Sequence, residues 1–179
     1  LPVNDDDEVM LISSSGMGIR FAESDVRPMG RSAAGVRGMR LKRGDTVIGA
    51  AVLTPDTRLL TVTDAGFGKR TDPDEVTRHA RGGQGIRAHR IRDDRGRVVA
   101  ANLVDDDAEI FLITDAGVII RTPVASMSED GRDAMGVTVM RLDDDTKVAA
   151  VAPVVNTDNG DDPAEELDAA EGAGGDPAE

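Results

Sequence analysis

Val9-Met10-Leu11-Ile12-Ser13-Ser14-Ser15-Gly16 is followed by Leu59-Leu60-Thr61-Val62-Thr63-Asp64-Ala65-Gly66 and by Ile110-Phe111-Leu112-Ile113-Thr114-Asp115-Ala116-Gly117. These are three versions of one segment, and their spacing decides the fold. The closing glycines lie 50 and 51 residues apart, and Arg20, Arg70 and Arg121 keep that interval. So do Gly35, Gly85 and Gly136, and so do the pairs Arg40-Leu41, Arg90-Ile91 and Arg141-Leu142. Several independent positions in one register define an array of three units.

Each unit reads as four short strands. The first is the aliphatic run above, too short for a helix and rich in β-branched residues. Thr-Asp-Ala-Gly suits a tight hairpin, with Asp capping the turn and Gly taking its left-handed position. The second strand carries the recurring arginine, as in Phe67-Gly68-Lys69-Arg70-Thr71 and Val118-Ile119-Ile120-Arg121-Thr122. A polar loop holding Pro28, Pro73 or Pro123 leads to a third strand at Gly35–Leu41, Gly85–Ile91 and Gly136–Leu142. The fourth is expected at Val47–Val52, Val98–Val104 and Val148–Val151. Four strands in about 50 residues is the period of propeller blades, so the chain is expected to be all-β. The three four-stranded antiparallel blades would span about 4–53, 54–104 and 105–155. Val3–Val9 aligns with Val104–Ile110, so residues 1–3 are expected to end a strand of a further blade, within a longer protein.

The charge is unevenly distributed. The 179 residues carry 34 acids and 21 bases, a net −13. Residues 156–179 hold nine acids and no base, so the first 155 carry only −4. This tail, with Leu167 as its one large apolar side chain, cannot bury enough surface to fold and is expected to be disordered. The chain has 18 Arg against three Lys, and over its whole length Asp outnumbers Glu 25 to nine, a balance expected of a protein from a halophile. With no Cys, Tyr or Trp, thiolate metal sites, disulfides and phenolic nucleophiles are excluded. No apolar run approaches the ~20 residues of a membrane span.

No catalytic constellation or metal site can be assembled. His79 and His89 have no partner motif, and His89 stands where the sister units carry Met39 and Met140, which points to a packed strand position. The aspartate runs lack the alternate-ligand spacing of calcium loops, and no phosphate-binding glycine loop of the Walker type is present. The basic residues are more informative. Arg20, Arg70, Arg121 and Lys69 lie in second strands; Arg40, Arg90 and Arg141 lie in third strands. The segments between add Arg27, Arg31 and Arg37 in the first unit, and Arg78, Arg81 and Arg87 in the second. Set at one radius of a disc, these form a basic band suited to a phosphate backbone, which needs evenly spaced cations and no base-specific geometry. The scarcity of aromatics disfavours stacking on single strands, so duplex DNA is the expected partner.

Thr61–Thr71, then Arg81-Gly82-Gly83-Gln84-Gly85-Ile86, Glu109–Thr114 and Gly136–Leu142, closely resemble the C-terminal domain of the DNA gyrase A protein. The resemblance covers residues 1 to about 155 and implies three blades of a six-bladed β-pinwheel whose blades exchange a strand. It further implies a module that wraps duplex DNA around a basic rim. The parent ATP-hydrolysing type II topoisomerase would pair the rest of the gyrase A protein with gyrase B in a heterotetramer, introduce negative supercoils, and work in the cytoplasm on the chromosome. Mg²⁺ and ATP would be used elsewhere in that enzyme, with no cofactor in this chain. The family's wrapping box is a glutamine, two bases and two glycines followed by a base and a glycine. His79-Ala80-Arg81-Gly82-Gly83-Gln84-Gly85 keeps only Arg81 and the glycines, so the box's role is not carried over. The alternatives are the C-terminal domain of topoisomerase IV and a stand-alone propeller that binds protein.

Overall fold

The computed structural model describes residues 2–154, so the acidic tail expected at 156–179 lies outside the described residues. Among them there is no α-helix; eleven strands and four single turns of 3-10 helix follow one another. The first unit supplies β1 (Glu8–Ser13), β2 (Met17–Ala22) and β3 (Val47–Val52). The second supplies β4 (Arg58–Thr63), β5 (Phe67–Thr71), β6 (Ile86–Arg87) and β7 (Val98–Val104). The third supplies β8 (Glu109–Thr114), β9 (Ile119–Pro123), β10 (Val137–Thr138) and β11 (Val148–Pro153).

The strands form three antiparallel sheets, in the orders β3-β1-β2-β6, β7-β4-β5-β10 and β11-β8-β9. Sheets and repeat units therefore do not coincide: β6 of the second unit completes the first blade, and β10 of the third completes the second. The expected blade limits at 53/54 and 104/105 are repeat limits, which the third strands cross. Those third strands are also shorter than expected, two paired residues each, and Gly35–Leu41 joins no sheet. A strand in this position has meaning only against the blade before it. The third blade has three strands among the described residues.

The innermost strands touch one another, β3 against β7 and β7 against β11. The blades thus radiate from their fourth strands, and the exchanged strands β6 and β10 lie on the outer circumference. Apolar cores fill the seams between blades. Successive residues of a strand point to opposite faces, and β4 uses both: Leu59 packs with Met10, Ile12 and Ala101, Leu60 with Ile110, Leu112 and Val148. Five of the six residues of this central strand are buried, whereas β8 alternates between buried and partly exposed. Leu, Ile, Val and Met supply the bulk that aromatic residues provide in other small domains.

The hairpin turns are capped differently from expectation. In the second and third blades the hydroxyl at the end of the first strand closes the turn: Phe67 N–H donates to Thr63 Oγ1 at 3.2 Å and Val118 N–H to Thr114 Oγ1 at 3.0 Å. The aspartate instead reaches across to the lead-in of the fourth strand, Asp64 accepting from Arg97 N–H at 2.7 Å and Asp115 from Lys147 N–H at 3.0 Å. In the first blade the carboxylate has changed sides, Asp45 of the lead-in accepting from Ser15 N–H and Ser14 Oγ, both at 2.9 Å.

Turn glycines hold the exchanged strands. The Gly66 carbonyl accepts from Val139 and Met140 N–H at 2.9 and 3.2 Å, as Gly16 accepts from Ala88 and His89 at 2.9 and 3.0 Å. A Cβ on Gly66 (φ +79°) would fall on the Met140 carbonyl oxygen, whereas at Gly117 (φ +82°), the same position of the third blade, it would meet nothing within 4 Å. Gly117→Ala is expected to cost about 1–2 kcal/mol, the left-handed backbone penalty alone. Gly66→Ala should cost ~2 kcal/mol more, from overpacking against backbone. Denaturant unfolding of the two variants beside the unmodified chain measures the difference.

Candidate nucleic-acid interface

The basic residues divide by where their strands lie. Arg20 and Arg70, in second strands, point into the seams. Arg20 bonds Glu8 and, at 2.6 Å, Asp74 of the next unit; Arg70 bonds Asp106 and, at 3.1 Å, the Met127 carbonyl. Their side chains are 17% and 12% exposed, which makes them inter-blade ties rather than a surface band. Arg121, in the last blade, pairs with Glu109 of its own hairpin and remains half exposed.

Lys69, expected on the basic band, is buried. Its Nζ donates to the Gly131 carbonyl at 2.6 Å. Burial lowers its pKa to about 8, against the opposing pull of Glu75, Asp130 and Asp133. It cannot present a charge to an outer phosphate. Beneath it His89 is fully buried as well, its Nδ1 2.9 Å from Thr61 Oγ1 and its Nε2 without a partner. Burial first, then the charge on Lys69, lowers its pKa to about 4, so the ring is a neutral packing residue.

The third strands and the segments on either side of them carry the outward charges; Arg90 and Arg141, expected within those strands, follow β6 and β10, and Arg40 lies in no sheet. Arg27, Arg31, Arg37, Arg40, Arg90 and Arg141 are exposed, and among the described residues none has a carboxylate within 4.0 Å. Arg78 pairs with Glu8 at 3.3 Å and Arg87 pairs with Asp133, each with half or more of its side chain still exposed. Arg81 is half-buried and donates to the carbonyls of Asp25 and Arg37 at 2.8 and 3.1 Å. Arg132 repeats that role, donating to the Arg87 carbonyl at 3.2 Å, and belongs with this group. Reading the sequence missed it, although the signal was present: Arg31, Arg81 and Arg132 keep the 50- and 51-residue interval.

The loop resembling the wrapping box has a structural task. Gly82 N–H donates to the Gly38 carbonyl at 2.6 Å, and the Gly83 carbonyl accepts from Arg40 N–H at 2.7 Å. The loop thereby fixes the backbone beneath Arg40. The ends of the blades where fourth strands turn into first strands are acidic instead: a cavity of about 470 Å³ there is lined by Asp6, Asp7, Glu8, Asp56, Asp72 and Asp74, with Arg20 and Arg58. The carboxylates of that end and the exposed arginines of the circumference thus occupy different parts of the blades. Among the described residues no three His, Asp or Glu are arranged to hold a metal ion, and no helix is long and apolar enough to cross a membrane.

The buried histidine yields a test of the packing under this surface. The unfolded ring titrates near 6.5 and the folded one at about 4, so its contribution is whole above about 6.5 and is lost as pH falls toward 4. His89→Met, which installs the sister residue of positions 39 and 140, should abolish a loss of about 3 kcal/mol over that interval. The difference between the two chains' unfolding free energies at pH 7 and pH 4 reads it directly.

Comparison with known proteins places this geometry. The family model for the DNA gyrase C-terminal domain, β-propeller, matches residues 7–54, 57–105 and 108–154, one stretch per unit. The DNA gyrase A protein of Pseudomonas aeruginosa is 44% identical over 155 residues, covering 87% of this chain and 17% of that one. Its counterpart from Mycolicibacterium smegmatis is 39% identical over 166 residues, covering 92% and 20%. The chain thus spans a fifth or less of the length of these relatives. A solved DNA gyrase A C-terminal domain superposes with a TM-score of 0.78 at 32% identity, over 86% of this chain and 52% of that one. The C-terminal domain of a DNA topoisomerase IV gives 0.77 at 27% identity, over 83% and 46%.

Proposed function

The chain belongs to the DNA gyrase C-terminal domain, β-propeller, family, and we propose that it is the DNA-wrapping module of a gyrase A protein. Duplex DNA lies along the outer circumference and bends with it. The observation that carries this reading is the placement of Arg40, Arg90 and Arg141 at one register of three consecutive units, exposed and without a carboxylate partner among the described residues. Cations repeated from blade to blade match a phosphate backbone and carry no sequence information. The module's contribution is the path of the duplex, while the rest of the gyrase A protein and gyrase B, with Mg²⁺ and ATP, supply strand passage and energy in the cytoplasmic heterotetramer, on the chromosome, so that wrapping is converted to negative supercoils. Topoisomerase IV shares the architecture, and that reading keeps the same phosphate contacts with a different use of them.

The interface we assign consists of Arg27, Arg31, Arg37, Arg40, Arg90 and Arg141, with Arg78, Arg81, Arg87, Arg121 and Arg132 around them; Arg20, Arg70 and Lys69 support it from inside. Arg40→Ala, Arg90→Ala and Arg141→Ala combined should weaken duplex binding equally for unrelated sequences. The slope of log K against log salt should fall by about 2 to 3, since each phosphate contact contributes ~0.9. Fluorescence anisotropy over a salt series measures this, and an unchanged slope would remove the three residues from the interface. Arg70→Ala should instead lower stability and leave the slope unaltered.

The acidic tail is proposed to compete with DNA for the same cations. A polyanion tethered to the last blade meets the rim at an effective concentration of millimolar order. Truncation after Val155 should tighten duplex binding at low salt, with the gain vanishing as salt rises; equal binding at every salt concentration would make the tail a solubility device. The Asp-rich, Lys-poor surface fits a halophilic host, where the Debye length is ~3 Å near 1 M salt. Under that screening only close forked contacts count, which favours arginine over lysine as the phosphate ligand.

A further inference from the structure

The pairing of β6 with its blade is too short to hold the arginines that follow it. Ile86 and Arg87 pair with Gly18 and Met17 of β2, and the Ala88 and His89 N–H groups then reach the Gly16 carbonyl. Arg90 lies beyond these contacts and is held from the other side. Arg132 donates to the Arg87 carbonyl at 3.2 Å, and the Ala134 carbonyl accepts from Arg90 N–H at 3.0 Å. One loop of the third unit thus grips the backbone of the second unit at two residues, and both carry exposed arginine side chains.

The same grip occurs one unit earlier. Arg81 donates to the Arg37 carbonyl at 3.1 Å, and the Gly83 carbonyl accepts from Arg40 N–H at 2.7 Å. Arg81 corresponds to Arg132, Gly83 to Ala134, Arg37 to Arg87 and Arg40 to Arg90, at intervals of 50 or 51 residues. Each loop is itself anchored. Arg132 N–H donates to Glu75 at 2.7 Å, and the adjoining Gly131 carbonyl accepts from the buried Lys69 at 2.6 Å. Arg81 Nε donates to the Asp25 carbonyl at 2.8 Å.

The two loops share this grip and not their charge. Arg78 and His79 precede Arg81 in one; Glu129, Asp130 and Asp133 surround Arg132 in the other. A loop with three carboxylates is a poor seat for phosphate, yet its arginine and its carbonyl contact are kept. Reaching a carbonyl across a seam needs a long side chain with fixed donors, which the guanidinium fork supplies.

We propose that Arg81 and Arg132 are positioning residues for DNA binding, acting through the backbone of the preceding unit rather than on phosphate. Arg132 fixes where the Arg87 and Arg90 side chains leave the chain, and Arg81 does so for Arg37 and Arg40. The cations of one unit are thereby preorganised by the loop of the next, which lowers the entropy lost when they meet the duplex. This role rests on the DNA-binding reading above and adds a direction to it: a change in one unit is felt in the contacts of the unit before.

Crossed double-mutant cycles on the full chain test it, with duplex affinity read by fluorescence anisotropy. Arg132→Met, similar in length but without a donor, should weaken binding at least about fivefold, and its effect should shrink to within about twofold when Arg87→Ala and Arg90→Ala are already present. Beside Arg37→Ala and Arg40→Ala it should persist in full. Arg81→Met should give the opposite pattern. A phosphate ligand would cost the same factor on both backgrounds, and so would a substitution that merely destabilises the chain; either result overturns the proposal. Amide hydrogen exchange without DNA is the second readout. Arg132→Met should speed exchange at Arg90 at least about tenfold and leave Arg40 unchanged, with the reverse for Arg81→Met. Unaltered exchange at the gripped residue would also overturn it. If the unmodified chain binds no duplex, the function proposed above fails and the positioning role with it; equal losses on both backgrounds in a chain that binds normally remove the positioning role alone.

Discussion

The backbone contact between a turn glycine and the strand exchanged from the next unit is the constraint on which the rest depends. The Gly66 carbonyl receives two N–H groups from Val139 and Met140 at a separation that leaves no room for a side chain. That contact sets the radius of the exchanged strand, closes the outer edge of the blade, and draws the next unit's loop across the seam. The seam behind it then fills with aliphatic side chains, Leu60 on one face of β4 and Leu59 on the other. An open two- or three-stranded sheet would leave backbone donors and acceptors unpaired along its edge. In the first two blades that edge is satisfied by borrowing a strand, so stability is shared between neighbouring units rather than contained in any one of them.

Charge is partitioned by the same geometry. An arginine in the second strand lies beside the seam and is taken up by the carboxylates that border it, as Arg20 is by Glu8 and Asp74. Arg90 and Arg141, just past the exchanged strands, and Arg40 at the same register lie on the circumference, where the acidic turns at the blade ends do not reach. One residue type, at one repeat interval, therefore serves as an internal tie in one place and as a free surface cation in another. The excess of aspartate does not cancel the second group because it is concentrated at the turns, in the cavity lined by Asp6, Asp56 and Asp72 and in the lead-ins to the fourth strands.

Burial of Lys69 and His89 shows how far the exchange carries into the interior. Both sit where a strand of one unit passes beneath the loop of the next, and both lose charge affinity through desolvation. Lys69 keeps a carbonyl partner in Gly131, whereas His89 leaves Nε2 unpaired. Met39 and Met140 fill the equivalent positions without a polar atom, so the histidine is the less economical of two solutions to one packing problem.

The sequence by itself determined the array, the four-strand unit, the all-β class and the family resemblance, because each is written in local pattern: short aliphatic runs, turn glycines and a register kept over three units. It also marked Arg40, Arg90 and Arg141 as a recurring set through their interval, and the same interval marks Arg132 with Arg31 and Arg81. Only the tertiary structure decided which blade each third strand joins, since Ile86–Arg87 and Val137–Thr138 carry no local mark of pairing backwards rather than within their own unit. It likewise decided which bases face outward. Lys69 and Arg70 are adjacent in a polar-looking strand, yet the loop of the following unit covers one and the carboxylate of Asp106 holds the other. Those contacts come from residues more than 30 positions away, and a local pattern contains no information about what a neighbouring blade will lay over it.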